Sequence, residues 1–326
     1  MKIPVVFTGG TIGSVELNGV IRPDPGSRLA LINRYSPIYS GDVEFEAVTP
    51  YTILSENLSA KELNMLIDCV RTLIDKGCDG VIVAHGTDTL QYTAAALSFA
   101  LGNSCPPVIL VSSNYPLDDP RANGGVNFST AVDFIKINMG RGVFVSYKNS
   151  GGVPCIFRGS RLFPHGGMSD EITCVGDYPY AFFDGSGLVS HPLYRSSENT
   201  AFSEAFHYCE APEIAFVSCH PGDSWSYLTE NCRAVLIKPY HSGTLDTENK
   251  RFVFFCEKAK ERSVPVFVSG IHSGSIYESS EKYAELGLIP LKNTSSAAMY
   301  MKIWAAISRN ADIAEYVLNP IADEFA

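Results

Sequence analysis

Residues 80–101, GVIVAHGTDTLQYTAAALSFAL, decide the fold. The run 80–84 is apolar without alternation and has the length of a strand, the pattern of a strand covered on both faces. It stops at His85-Gly86-Thr87-Asp88-Thr89, and a helical pattern follows over 88–101, closed by Gly102. The same grammar repeats outward. Residues 3–8 form an apolar strand ending in Gly9-Gly10-Thr11-Ile12-Gly13. Residues 43–48 read as a strand, and 59–76 as an amphipathic helix with Ser59 at the N-cap and Glu62 three residues on, a capping box. Residues 107–111 are strand, 123–139 helix and 143–146 strand. Buried strands alternating with helices of this length predict an α/β fold, a mostly parallel sheet with helices on both faces.

From 151 to 192 the chain turns to short segments dense in Gly, Pro and aromatics, which suggests hairpins and loops. The polar stretch LYRSSENT (193–200) opens the best linker candidate. A second alternation follows, with strands at 213–218, 234–237 and 264–268 and helices at 246–262, 278–286 and 294–307. The expected organisation is a larger N-terminal domain over 1–192, a linker over 193–212 and a smaller C-terminal α/β domain over 213–326.

With 326 residues the chain has room for two cores, and its 45% apolar and 18% charged residues are ordinary for a globular protein. A formal net charge of −10 argues against a surface that tracks nucleic-acid phosphates and favours a small-molecule substrate. The N-terminus has no apolar segment of signal-peptide length, and no stretch is long and apolar enough to span a bilayer, so a cytoplasmic location is expected. Nine cysteines, scattered without CxxC pairs, argue against zinc and against a disulfide framework.

In open parallel sheets ligands bind beyond the carboxyl ends of the strands, where both glycine-flanked turns fall. Glycines beside a hydroxyl let backbone N–H groups approach a substrate oxygen. Thr11 and Thr87 are therefore candidate reactive hydroxyls, and a threonine needs a base beside it to attack at neutral pH. Asp88 can polarise Thr87 or bind a substrate ammonium, or it is simply a carboxylate in the first helical turn. His85 reads better as a packed strand-end residue than as a catalyst. A phosphate cradle is the competing reading of the first turn, but GGTIG does not fit GxGxxG, and GxxxxGK[ST] is absent.

TGGTIGS (8–14) followed by HGTDTL (85–90) resembles the two signature segments of the L-asparaginase/glutaminase amidohydrolases. SSNYPLDDPRANGGVNFSTAV (112–132), FRGSR (157–161) and PYHSGT (239–244) continue the similarity, and HGTDTLQYTAAALSFAL is most similar to the cytoplasmic type I members. The resemblance implies hydrolysis of the side-chain amide of L-asparagine, or of glutamine or a related amide, in two stages. Thr11 attacks the amide carbon, ammonia leaves, and water cleaves the acyl-enzyme. By position Thr87 and Asp88 join the catalytic group. Ser55, Glu56 and Asp88 hold the substrate's α-groups, and backbone near Gly10 and Gly86 supports the oxyanion. The resemblance also implies no metal or organic cofactor and a homodimer or homotetramer.

Two positions depart from the pattern. The family's lid carries a tyrosine, whereas residues 14–29 here contain none; Val20 stands at the expected place, and Tyr35 and Tyr39 lie downstream. The family also keeps a lysine three residues after the second arginine of its hairpin, where this chain has Pro164. His165 is the local group able to shuttle a proton. These departures imply turnover that is slow or altered in preference, or a weakened relative that binds an amino acid as a regulatory protein.

Overall fold

Neighbouring residues of the run at 81–84 point into different cores, which is why the run does not alternate. Val81 and Val83 join one buried cluster with Leu97 and Leu66, whereas Ile82 and Ala84 join another with Phe128 and Val132. The computed structural model describes residues 1–17, 19–23, 26–36, 39–197, 205–274 and 277–326. Within these, β1 (Lys2–Phe7) leads through a 3-10 turn into the hairpin β2 (Ser14–Leu17) and β3 (Val20–Pro23). Then come α1 (Ser27–Asn33), β4 (Glu44–Val48), α2 (Ala60–Asp75), β5 (Val81–Ala84), α3 (Leu90–Leu101), β6 (Val108–Val111), α4 (Gly124–Lys136) and β7 (Val143–Lys148). The aromatic-rich segment supplies β8 (Pro154–Arg158), β9 (Ala181–Phe183) and β10 (Leu188–Ser190).

The first sheet runs β10-β9-β8-β7-β6-β5-β1-β4 among the described residues. β4, β1, β5, β6 and β7 are mutually parallel, and β8 to β10 extend the sheet antiparallel. The chain steps from β1 out to β4 and then back across β1 to β5. The reversal of strand order therefore falls at β1, the place where such sheets leave a crevice.

The second alternation forms β11 (Ile214–Ser218), β12 (Ala234–Lys238), α5 (Lys250–Glu261), β13 (Val266–Ile271), α6 (Glu278–Glu281), α7 (Tyr283–Leu286), β14 (Leu288–Lys292), α8 (Ser296–Ser308) and α9 (Ile313–Leu318). Its four strands are parallel in the order β11-β12-β13-β14. The two-domain α/β class is as the sequence reads. β14 and α9 were not expected, because LIPLK carries a proline and IAEYVL is short. The capping box differs from expectation: the Ser59 hydroxyl donates to the Glu62 carboxylate instead of accepting from a backbone amide.

The segment read as a linker is bound along much of its described length. Asn64 and Tyr208 exchange two hydrogen bonds, and the Tyr208 ring, 2% exposed, meets Trp304 edge-on. Residues 198–204 of that expected linker lie outside the described residues.

Helix α8 packs on α3, so the C-terminal chain covers the first sheet as well as the second. The end of the chain is held there by buried charge. Asp323, fully buried, accepts from Arg158 Nε at 3.1 Å, Arg161 Nη2 at 2.8 Å and the Tyr194 hydroxyl at 2.5 Å. Arg161 also donates to the carbonyls of Asp323 and Phe325, and the Ser160 hydroxyl to that of Ala322. Beside this, Lys302 donates to Glu324 and to the carbonyls of Val317 and Asn319. Removing one member of a buried pair strands the other, typically at a cost of about 3–5 kcal/mol. Asp323→Ala should lose stability on that scale in denaturant unfolding, with both arginines left facing no carboxylate. A loss under about 1 kcal/mol would show that the tail does not fasten the two halves.

Candidate active site

β1 and β5 are neighbours, in register from Val5–Ile82 to Phe7–Ala84, and Thr8 extends the pairing through its amide and hydroxyl to the Ala84 carbonyl at 3.1 and 3.0 Å. Past this point both strands turn, and the two turns touch. A Cβ on Gly10, at φ +79°, would lie 2.3 Å from the Cα of Gly86. A Cβ on Gly86 would lie 2.5 Å from Ser55 Oγ. Neither space admits a side chain, so both glycines are sterically required and the two motifs meet at the reversal of strand order.

Around that contact the structure brings the expected residues together. Thr11 opens the 3-10 turn Thr11–Gly13 directly after Gly10, a turn closed by the Gly13 amide and the Ser14 hydroxyl, both donating to the Gly10 carbonyl. The strand-like bridge between Gly9 and Ile53 carries the chain into the 3-10 turn Ser55–Asn57. There Ser55 is buried and Glu56 exposed. The Ser55 hydroxyl donates to Asp88 Oδ2 at 3.3 Å, and the Thr89 hydroxyl donates to the Ser55 carbonyl at 3.0 Å. Thr11 and Thr87 are half-buried and Asp88 is exposed. Among the described residues no protein group engages the hydroxyl or the amide of Thr11 or Thr87.

Asp88 does not sit in the first helical turn, as its place in the sequence suggested. Thr89 is the N-cap and α3 starts at Leu90, so Asp88 precedes the helix and its carboxylate turns to Ser55. The positive end of α3 still faces this turn and favours negative charge there. Thr89 was not singled out from the sequence. The hydroxyl at the N-cap was its signal, yet that hydroxyl serves the neighbouring loop.

His85 is packed, as expected. It is 2% exposed, with Nδ1 2.8 Å from the Gly86 carbonyl and Nε2 3.0 Å from the Thr93 hydroxyl. Burial pulls its pKa down to about 4, so the ring is neutral near pH 7.

The segment 112–127 braces the neighbouring strand ends. Asn114 and Asn123 exchange amide contacts, Asn127 donates to the Ser112 carbonyl, and its Oδ1 accepts from the Lys148 amide.

Of the substitutes considered for the missing lid tyrosine, Tyr35 and Tyr39 are tied elsewhere. Lys136, at the C-terminal end of α4, donates to the Tyr35 hydroxyl and the Tyr39 carbonyl, and the Tyr35 ring packs edge-on against Phe45 of β4. Val20 is exposed on β3, and residues 18, 24 and 25 of the lid lie outside the described residues. Pro164 lines a cavity of about 260 Å³ with Phe163, Lys238, Tyr240, His241 and His272, at the carboxyl ends of β12 and β13. His165 is half-buried, and its Nδ1 has no hydrogen-bond partner among the described residues.

Residues 2–163 match the family model described as asparaginase, N-terminal, and this span holds both turns and the Ser55 loop. The chain belongs to the asparaginase family. It is 37% identical over 133 residues to a glutamyl-tRNA(Gln) amidotransferase subunit of Metallosphaera sedula, a match that covers 40% of this chain and 30% of that protein. Against the subunit of the same name from Aeropyrum pernix it is 25% identical over 341 positions, covering 96% of this chain and 76% of that one. The fold matches the L-asparaginase of Thermococcus kodakarensis with a TM-score of 0.80 at 22% identity, covering 100% of this chain and 99% of the other. Among the described residues no helix is long and apolar enough to cross a membrane.

Because the folded His85 pKa is depressed, the unfolded chain binds the extra proton between its ordinary value near 6.5 and about 4. Stability contributed by the neutral ring is therefore complete above pH 6.5 and is lost as pH falls toward 4, on the order of 3 kcal/mol. Melting temperatures measured from pH 7 to 4 should fall through this window in the wild type and more shallowly in His85→Asn. Parallel curves would place the acid sensitivity elsewhere.

Proposed function

We propose that this chain is an amidohydrolase that cleaves the side-chain amide of L-asparagine, or of glutamine or a related amino-acid amide, with Thr11 as the nucleophile. The observation that carries the reading is the Gly10–Gly86 contact, which sets Thr11 beside a cluster of Thr87, Asp88 and Ser55 at the crevice of the sheet. Thr11 Oγ attacks the amide carbon, and its proton passes through Thr87 to Asp88. The oxyanion is met by the amides of Thr11 and Thr87, aided by the positive end of α3. The amide nitrogen takes up the proton and leaves as ammonia. Water then cleaves the ester to release the acid and restore the hydroxyl. Ser55, Glu56 and Asp88 hold the α-carboxylate and ammonium. No metal or cofactor enters the reaction.

Asp88 is a weak base for a hydroxyl, and Pro164 offers no proton chemistry where relatives keep a lysine, so turnover is slow. The protein works in the cytoplasm as a homodimer or homotetramer, with a catalytic domain over 1–192, a linker over 193–212 and a C-terminal domain over 213–326. The relatives named as subunits of a glutamyl-tRNA(Gln) amidotransferase favour a second reading, in which the chain acts with a partner protein on a glutamyl or glutamine amide.

A panel of L- and D-asparagine, L-glutamine and N-substituted amides, scored for ammonia release, tests the proposal. We expect release from at least one L-amide, reduced at least about 10³-fold in Thr11→Ala with its melting temperature retained. L-aspartate that raises the melting temperature of a protein releasing no ammonia would establish a binding protein instead.

A further inference from the structure

His85 lies next to the reactive turn without facing the crevice, and its two ring nitrogens are both committed. The Gly86 carbonyl can only accept, so Nδ1 must carry the proton and donate to it at 2.8 Å. Nε2 is then the bare nitrogen, and it accepts from the Thr93 hydroxyl at 3.0 Å. Thr93 is fully buried on α3, so its hydroxyl anchors the ring from the helix below while the Gly86 carbonyl sets the tautomer. With the opposite tautomer, a lone pair on Nδ1 would face the carbonyl oxygen.

The Gly86–Thr87 peptide is trans. In a planar trans peptide the carbonyl and the N–H of the following residue point in opposite directions, so fixing one fixes the other. A buried imidazole that holds the Gly86 carbonyl inward therefore aims the Thr87 N–H outward. That N–H meets no protein acceptor among the described residues. A glycine at 86 gives this peptide no side chain of its own to restrain its rotation, so the restraint has to come from outside.

We infer that His85 is a positioning residue: it locks the Gly86–Thr87 peptide so that the Thr87 amide points at the oxygen of the reacting amide. The inference rests on the amidohydrolase reading and deepens it. His85 neither touches substrate nor transfers a proton, and its neutral state, imposed by burial, keeps the same bond in place near pH 7.

The decisive comparison is His85→Asn against His85→Leu, with Thr93→Val as a third variant. Asparagine places its amide nitrogen where histidine has Nδ1 and keeps the donor, whereas leucine fills the space without one. Losing one oxyanion donor lowers kcat by about 10²–10³. We expect His85→Leu to lose at least about tenfold in kcat with KM within about threefold, and His85→Asn to recover most of it while melting no higher than His85→Leu. Thr93→Val, which removes the ring's anchor on α3 without touching the turn, should lower kcat in the same sense. Equal kcat in the Asn and Leu variants would overturn the inference. If His85→Leu does not fold, unchanged kcat in Thr93→Val would overturn it instead.

Should the wild type release no ammonia, the hydrolase reading has failed, and the inference is read separately from threonine-selective 15N spectra. Titration with L-aspartate should then move the Thr87 amide peak in the wild type and leave it in place in Thr93→Val. Equal movement in both would overturn it.

Discussion

The site depends on the space between Gly10 and Gly86, which is too small for any side chain. Two β–α turns from neighbouring parallel strands press backbone against backbone there. Each turn is then fixed from a different direction. The first is closed by Gly13 and Ser14 onto the Gly10 carbonyl, and the second by His85 onto the Gly86 carbonyl. Ser55 fills the third side, with its hydroxyl on Asp88 and its carbonyl held by Thr89. Among the described residues the hydroxyls and amides of Thr11 and Thr87 have no protein partner. A parallel sheet with a reversal of strand order supplies this arrangement because its strand ends are close and its helices start there with their positive ends.

The second constraint works at a distance from the chemistry. Helix α8 covers α3, and the chain's last residues return to the first sheet, where Asp323 gathers Arg158 and Arg161. The FRGSR segment, which resembles a family hairpin, thus acts in this fold as a socket for the C-terminal tail. Buried ion pairs contribute little net stability against well-packed apolar groups, but they punish misplacement severely. Their effect is to fix the seating of the tail against β8 and, through Leu162 and Ser295, of α8 against the first sheet.

Much of this was legible in the sequence because strong local patterns and tertiary structure agree. VIVA between glycines is a doubly covered strand by pattern alone, and the two glycine-flanked threonine turns announce the crevice. The errors come where a side chain answers to a distant partner. Asp88 looks like a first-turn carboxylate, yet Ser55, 33 positions upstream, draws it out of the helix. Residues 193–197 read as the start of a linker, and no local pattern marks that the Arg195 carbonyl meets Arg161 or that the Ser197 amide meets Asp323 near the C-terminus. The bond between His85 and Thr93 crosses a strand–turn–helix junction, which no periodicity marks.

The central claim is that Thr11 becomes acylated. Acid quenching during incubation with L-asparagine or L-glutamine, followed by peptide mapping by mass spectrometry, observes that step directly. The account predicts a transient acyl ester on the peptide containing Thr11, absent from Thr11→Ala. An ester on Thr87 or on any other residue, or steady ammonia release from Thr11→Ala, would contradict it.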